Sequence, residues 1–577
     1  MRRVLGMISF LILISLACQT LLPTPTPTPL PSSTVTATPT FTPTVTVTPT
    51  PLPSVTPHPS ETVTFTPASS SALPEPGDFS VRYHPDDALY VGDLVSIEII
   101  APQNIQLPDA QLTVQVDSTS AAGFGPLSFG GWGIAGREQA TLIWGWDTSG
   151  LSAGDHILHF SIQPQAIAWT ETITLLPAEE LPPQFDQASW DSIQTACCSI
   201  YYITNTAAER DIQNLSTLIE EQAQQAATQI GTTFDERVVI TILPRLLGHG
   251  GFTSSEIAVS YLDRNYAAND WDRVVHHEMI HMLDGRLGGD LRPTIFVEGL
   301  AVYMSGGHYK PEPLMQRAAA LLEDNLNWYL PLGPLTDNFY ASQHEIGYLQ
   351  AGALIEYLVQ KYGWEAFSSF YRDIHPAPSG KQSDAIDEAL QRHFGISFVQ
   401  MEQDFIAALQ SQPNSTEWVD DVEITVTLFD TMRRYQELLD TSAYFRTAWL
   451  LDNEQMRQRG ITADYLRHPV APVNLALETM LLAAGEDLDN APYPMANQLL
   501  KAVNVVLDQM ESGSSQPFEA DPLAGDYYSI VQFLLEAGFE PQKINIDGAQ
   551  TVALVGQSNA LLETLFLEKT DDQWALK

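Results

Sequence analysis

The chain has 577 residues, with 27 Lys and Arg against 70 Asp and Glu, for a net charge of −43. So acidic a surface excludes nucleic-acid binding through the overall field, because attracting phosphate requires basic surface. Its 3 Cys exclude a disulfide scaffold, while 44% hydrophobic residues and a length about four times a ~150-residue domain predict several domains with buried cores.

Residues 1–18 read as a processing signal. Arg2 and Arg3 precede an apolar run over 4–17 that falls short of the ~20 residues a membrane-spanning helix needs. The run ends Ser15-Leu16-Ala17-Cys18, which resembles a bacterial lipobox with Ser15 where leucine is usual. That resemblance implies cleavage before Cys18, lipidation of Cys18, and a place on the outer face of a bacterial membrane. An uncleaved signal anchor and a plain secretory signal are the other readings, and all three export the chain. Residues 19–77 are built from Thr-Pro units and carry two charges, Glu61 and Glu75. Proline fixes φ and removes backbone donors, so this segment reads as a semi-rigid, disordered stalk.

Residues 78–178 show short strand patterns near 94–99, 111–116, 141–146, 156–162 and 170–175, the spacing of an all-β sandwich. The stretches Trp146-Asp147-Thr148 and Ala153-Gly154-Asp155-His156 resemble bacterial immunoglobulin-like domains, which implies a spacer or adhesive module. His156 and His159 fall on opposite faces of one strand and read as structural. Residues 187–412 change to mixed strand and helix: strands at 198–203, 237–243 and 255–261, a long amphipathic helix at 207–230, then mostly helices. Cys197 and Cys198 read as two buried strand residues in preference to a vicinal disulfide. Residues 413–515 read as a helical region that caps a cleft or binds a partner, with Arg433, Arg434 and Arg467 in its more basic stretches. Residues 520–577 read as a small α/β unit with a helix at 527–538 and strands near 542–546, 551–555 and 562–568.

The chemistry concentrates between His277 and Glu298. His277-Glu278-Met279-Ile280-His281 is H-E-x-x-H. Asp270 is a good helix cap and Gly285 a good stop, so His277 and His281 fall one turn apart on one helix face, where both imidazoles can reach one metal ion. Glu278 is offset by one residue and is placed to act on a water beside the ion. Val274, Val275, Ile280 and Leu283 make the rest of the helix apolar, and buried imidazoles need partners. A third histidine six residues on is excluded, because Leu287 stands there. Glu298 follows 17 residues after His281, with Pro293 opening its helix and Gly299 and Ala301 permitting close packing. His276 points about 100° away and reads as supporting or exposed. His249, in Gly248-His249-Gly250-Gly251, reads as a loop residue.

H-E-x-x-H followed by Glu298-Gly299-Leu300-Ala301 resembles the gluzincin metallopeptidases of the thermolysin-like clan, most closely the bacterial peptidase-MA-like domains, over about 190–410. The resemblance implies an α+β zincin-type domain and one Zn2+ with His277, His281 and Glu298 as ligands. It also implies Glu278 as general base and a downstream oxyanion donor, for which Tyr348 stands ahead of His344 and Tyr340. Phe296 replaces the family's usual Trp. Val302 replaces an acidic residue, for which Asp284 is the candidate substitute. The expectation is a surface-anchored zinc-dependent peptidase acting on peptide or protein substrates. The alternative is a catalytically inactive, metallopeptidase-like cell-surface binding protein.

Overall fold

The computed structural model describes residues 75–577 apart from 104, 106, 121, 122, 268, 269, 414, 415, 491, 492, 558 and 572. The chain divides into units 1–64 and 65–577, and every described residue belongs to the second. The signal segment 1–18 and stalk residues 19–74 lie outside the described residues.

Nine strands come first: β1 (Ser80–His84), β2 (Leu89–Tyr90), β3 (Leu94–Ile100), β4 (Gln111–Val116), β5 (Phe124–Ser128), β6 (Gly130–Trp132), β7 (Arg137–Asp147), β8 (Gly154–Gln163) and β9 (Ile167–Leu176). They form two sheets, in the orders β1-β3-β7-β6 and β2-β9-β8-β4-β5. Strand alternation sends Leu112, Val114, Leu158, Phe160 and Ile162 into one core with Val95, Ile97, Ile99 and Trp146. The opposite face of β3 is also buried, and the reason lies outside the two sheets. Glu98 is bonded to His84 (3.0 Å), Arg137 (2.8 Å) and Gln139 (2.7 Å), and the His84 ring stacks 3.8 Å from that of Trp449. Trp144 joins Ile203, Leu243 and Tyr465 in a separate apolar cluster, and Arg467 donates to Asp93 (2.5 Å) and to the Ala88 carbonyl (2.9 Å). The two-sheet region is therefore docked on the rest of the chain. His156 is held by Asp117 (2.8 Å).

After the short α1 (Pro183–Asp186) comes a third sheet of β10 (Trp190–Gln194), β11 (Cys198–Ile203), β12 (Val238–Leu243), β13 (Gly251–Thr253) and β14 (Ile257–Ser260), in the order β10-β11-β12-β14-β13. Its apolar centre, β11, β12 and β14, is parallel, and both edges are antiparallel. The crossover helix α2 (Ala207–Ile230) buries Ile212, Leu215, Ile219, Ala223, Ala226 and Ile230 at helical spacing and ends at Gly231, φ 79°. Cys197 and Cys198 form a disulfide, contrary to the expectation of two free strand residues. Only Cys198 lies in β11. Cys197 sits in the bend before it, so the two side chains escape the alternation that would part them within a strand.

Helices α3 (Trp271–Leu287), α4 (Thr294–Ser305), α5 (Leu314–Ala320), α6 (Leu332–Asp337), α7 (His344–Tyr362), α8 (Trp364–Arg372), α9 (Gln382–Phe394) and α10 (Phe398–Gln410) complete the body. Beyond it run α11 (Thr416–Leu439), α12 (Asn453–Arg459), α13 (Ala463–Leu466), α14 (Pro472–Asp489), α15 (Tyr493–Glu511) and α16 (Pro522–Glu536). An antiparallel meander of β15 (Pro541–Asp547), β16 (Gln550–Val555), β17 (Glu563–Thr570) and β18 (Gln573–Leu576) closes the chain. One continuous core links Cys198 to Trp574, so the segments 187–412, 413–515 and 520–577 share an interior. The basic stretches of the helical region are used internally: Arg433 binds Glu345, and Arg434 binds Asp508 and Glu511.

Candidate metal centre

Helix α3 starts where Asp270 accepts a hydrogen bond from the Arg273 amide (3.2 Å), and it runs past Gly285 to end at Leu287. Its 3.6-residue period puts His277 and His281 on one face with their Nε2 atoms 3.0 Å apart. From α4, which packs beside α3, Glu298 Oε2 comes within 3.6 Å of His277 Nε2 and 3.3 Å of His281 Nε2. Two imidazole nitrogens and a carboxylate thus form a triangle with sides of 3.0, 3.3 and 3.6 Å. A tetrahedral ion with ligands at about 2.05 Å holds its donors about 3.4 Å apart. The residues present fit a zinc-sized cation.

Burial alone would make His281 harder to protonate, but the adjacent Glu298 carboxylate overrides it and raises the pKa to about 9. Burial acts to raise Glu298, and His281 and His277 more than reverse this, holding it well below the usual carboxylate range. Metal binding at such a triangle displaces the shared proton.

Glu278 is buried to 3% exposure and lines the same cleft as the triangle. The Thr253 hydroxyl on edge strand β13 donates to its Oε2 at 2.6 Å. The strand comes this near because Gly251 has no side chain: a Cβ there would sit 2.5 Å from Glu278 Oε1. Gly248 (φ 61°) and Gly250 (φ 106°) shape the loop that delivers the strand. The motif search did not find Thr253, and the Gly248 to Gly251 cluster is the signal that marks a close backbone approach there.

Tyr340, between α6 and α7, donates its hydroxyl to Glu298 Oε1 at 2.5 Å. Tyr348, on α7, is 3% exposed with its ring 6.4 Å from that of His277, and it interacts with both Glu298 and Tyr340. Burial, then the Glu298 charge, pushes both phenols far up, so both keep their protons. His344 lies behind Tyr348, ring to ring at 4.2 Å. His276 is buried on the other side of α3, bonded to Gln222 and Gln229 of α2 at 2.9 Å each, and burial lowers it to about 4. It therefore joins helices and is not exposed. Asp284 does not bond to either motif histidine. It accepts from Tyr371 (2.7 Å) and Arg292 (2.7 Å), because its place three residues past His281 turns it toward α8. His249 leaves its loop to pack on Phe252 and Phe445, and burial lowers it to about 3.

These groups line a cleft of about 460 Å³ whose walls include Phe252, Val297, Phe445 and Ile134. Ile134 comes from the β6–β7 turn, where the Ala135 amide donates to the Arg446 carbonyl at 3.1 Å. Among the described residues a second group, His308, His344 and Glu345, also brings its ligand atoms within 4.8 Å of one another.

No protein-family model matches the chain. No curated protein matches it either. Among solved structures, the chain is similar to the crystal structure of an aminopeptidase N family protein from Idiomarina loihiensis. The two are 10% identical over 59% of this chain and 78% of that one, with a TM-score of 0.26, a likeness too slight to carry an argument.

Proposed function

We propose that the chain is a zinc-dependent peptidase of the gluzincin type, exported and held at the outer face of a bacterial membrane by its N-terminal segment. The observation that carries this reading is the donor triangle of His277, His281 and Glu298 with Glu278 one residue away on the same helix. An ion held there supplies Lewis acidity to a carbonyl and makes a water easier to deprotonate.

The chain's own groups supply the rest. Glu278, aligned by Thr253, accepts a proton from the attacking water and passes it to the leaving amine. Tyr340 donates to Glu298 and holds that carboxylate in place, and the Tyr348 hydroxyl beside it turns from Glu298 to donate to the oxyanion. Strand β13 ends its sheet, so an extended peptide can pair along it. Phe252, Val297, Phe445 and Ile134 give the peptide apolar walls and exclude water from the reacting bond. The acidic chain disfavours acidic substrates.

The test compares wild type with Glu278→Gln for zinc content and for cleavage of a peptide library. The expected result is unchanged zinc and a loss of cleavage of about 10²–10⁴-fold. Cleavage that survives the substitution, or a wild type that neither takes up zinc nor cuts, would remove the assignment.

A further inference from the structure

We propose a second transition-metal site at His308, His344 and Glu345, one layer behind the cleft. All three side chains are buried, at 7%, 8% and 6% exposure. Their ligand atoms lie within 4.8 Å of one another. His308 Nδ1 and His344 Nε2 have no hydrogen-bond partner among the described residues. A buried imidazole nitrogen left in that state is unfavourable, and this cluster holds two.

Ring geometry fits an ion. A metal about 2.05 Å from an imidazole nitrogen sits about 3.2 Å from the ring centre, so two tetrahedral imidazoles have centres about 5.2 Å apart. The His308 and His344 rings are 5.5 Å apart. Arg433 donates to both Glu345 oxygens, at 2.7 and 3.0 Å, and Gln343 donates to Oε2 at 3.2 Å, which leaves Oε1 the open lone pair for an ion. Arg433 and the amino end of α7 oppose a cation there, and the Glu345 charge offsets them in part. Two imidazoles with one carboxylate select zinc, copper, nickel or cobalt over magnesium or calcium.

The site bears on the cleft through Tyr348. His308 stacks on that ring at 4.1 Å and 8°, and His344 meets it at 4.2 Å. An ion clamping both imidazoles fixes the face against which Tyr348 rests, so the pair are positioning residues for that hydroxyl.

The experiment strips the full chain of metal, reloads it with Zn2+ and counts bound zinc by mass spectrometry. Wild type is expected to hold two equivalents, and His277→Ala/His281→Ala and His308→Ala/His344→Ala one each. Cobalt loaded into the His277→Ala/His281→Ala protein is expected to give a histidine-ligated d–d band. If the His308→Ala/His344→Ala protein does not fold by circular dichroism, the His277→Ala/His281→Ala protein decides alone. One retained equivalent supports the second site, and none overturns it. A wild type holding one equivalent that the His277→Ala/His281→Ala protein loses also overturns it. Neither result depends on peptide cleavage, so the proposal fails separately from the peptidase reading.

Discussion

The Thr253 hydroxyl donates to Glu278 Oε2 at 2.6 Å, with the Glu278 carbonyl a longer acceptor at 3.3 Å, and the short bond decides which way a buried carboxylate faces. Replacing Thr253 with Val keeps the shape and removes the bond. A net hydrogen bond to a charged group is worth about 1.5–3 kcal/mol. Thr253→Val is expected to lower kcat by about tenfold or more, with KM and zinc content little changed, as measured by steady-state cleavage and metal analysis. At this scale legibility divides by the kind of signal. His277, Glu278 and His281 form a contiguous motif whose chemistry depends only on helical spacing. Thr253 works from a three-residue edge strand, and no periodicity can mark so short an element. His308 lies among irregular residues between α4 and α5, and its role depends on a tertiary approach to α7 that local sequence does not encode. The Cys197–Cys198 bond depends on the backbone bending at Cys197, just before β11, and apolar alternation within the strand carries no signal for that bend.

At the scale of elements, the metal triangle depends on how closely α4 approaches its neighbours. A Cβ on Gly299 would sit 2.5 Å from the Ala351 carbonyl of α7, and one on Gly352 would sit 2.6 Å from Val302. Glu298 immediately precedes the first of these contacts, so spreading the two helices moves a ligand. Gly299→Val is expected to destabilise the fold by about 1–3 kcal/mol, the cost of overpacking, with a measurable fall in melting temperature. It should also weaken zinc retention, scored by chelator challenge below the transition. The helix pair was foreseen from Pro293, Gly299 and Ala301, and the long strands and α2 from their apolar spacing. Element ends moved by a few residues: α3 passes Gly285, because a glycine in a packed helix need not terminate it.

Across the whole molecule, distant segments are tied together by buried charge. Arg264, after β14, donates to Glu478 of α14 at 2.5 Å and to the Pro541 carbonyl and Gln542 at 2.8 and 3.1 Å. Both charged partners are almost fully enclosed. Arg264→Met strands the Glu478 carboxylate and is expected to cost about 3–5 kcal/mol in denaturant unfolding, whereas adding Glu478→Met should recover much of it. One cooperative transition for the region 187–577 is expected, since its core is shared. This joining of segments was illegible in the sequence, where 413–515 and 520–577 read as separate appendages. Ties such as Arg264 to Glu478 span 214 positions and leave no local pattern.

The placement of Ile134 beside the cleft has a consequence for dissecting the protein. A shortened form starting near 187 would open one flank of the mouth and bare the aromatic surface of Trp449 that His84 covers. Trimming to a minimal catalytic fragment would change what the opening admits, so cleavage preference belongs to the chain with its leading strands intact.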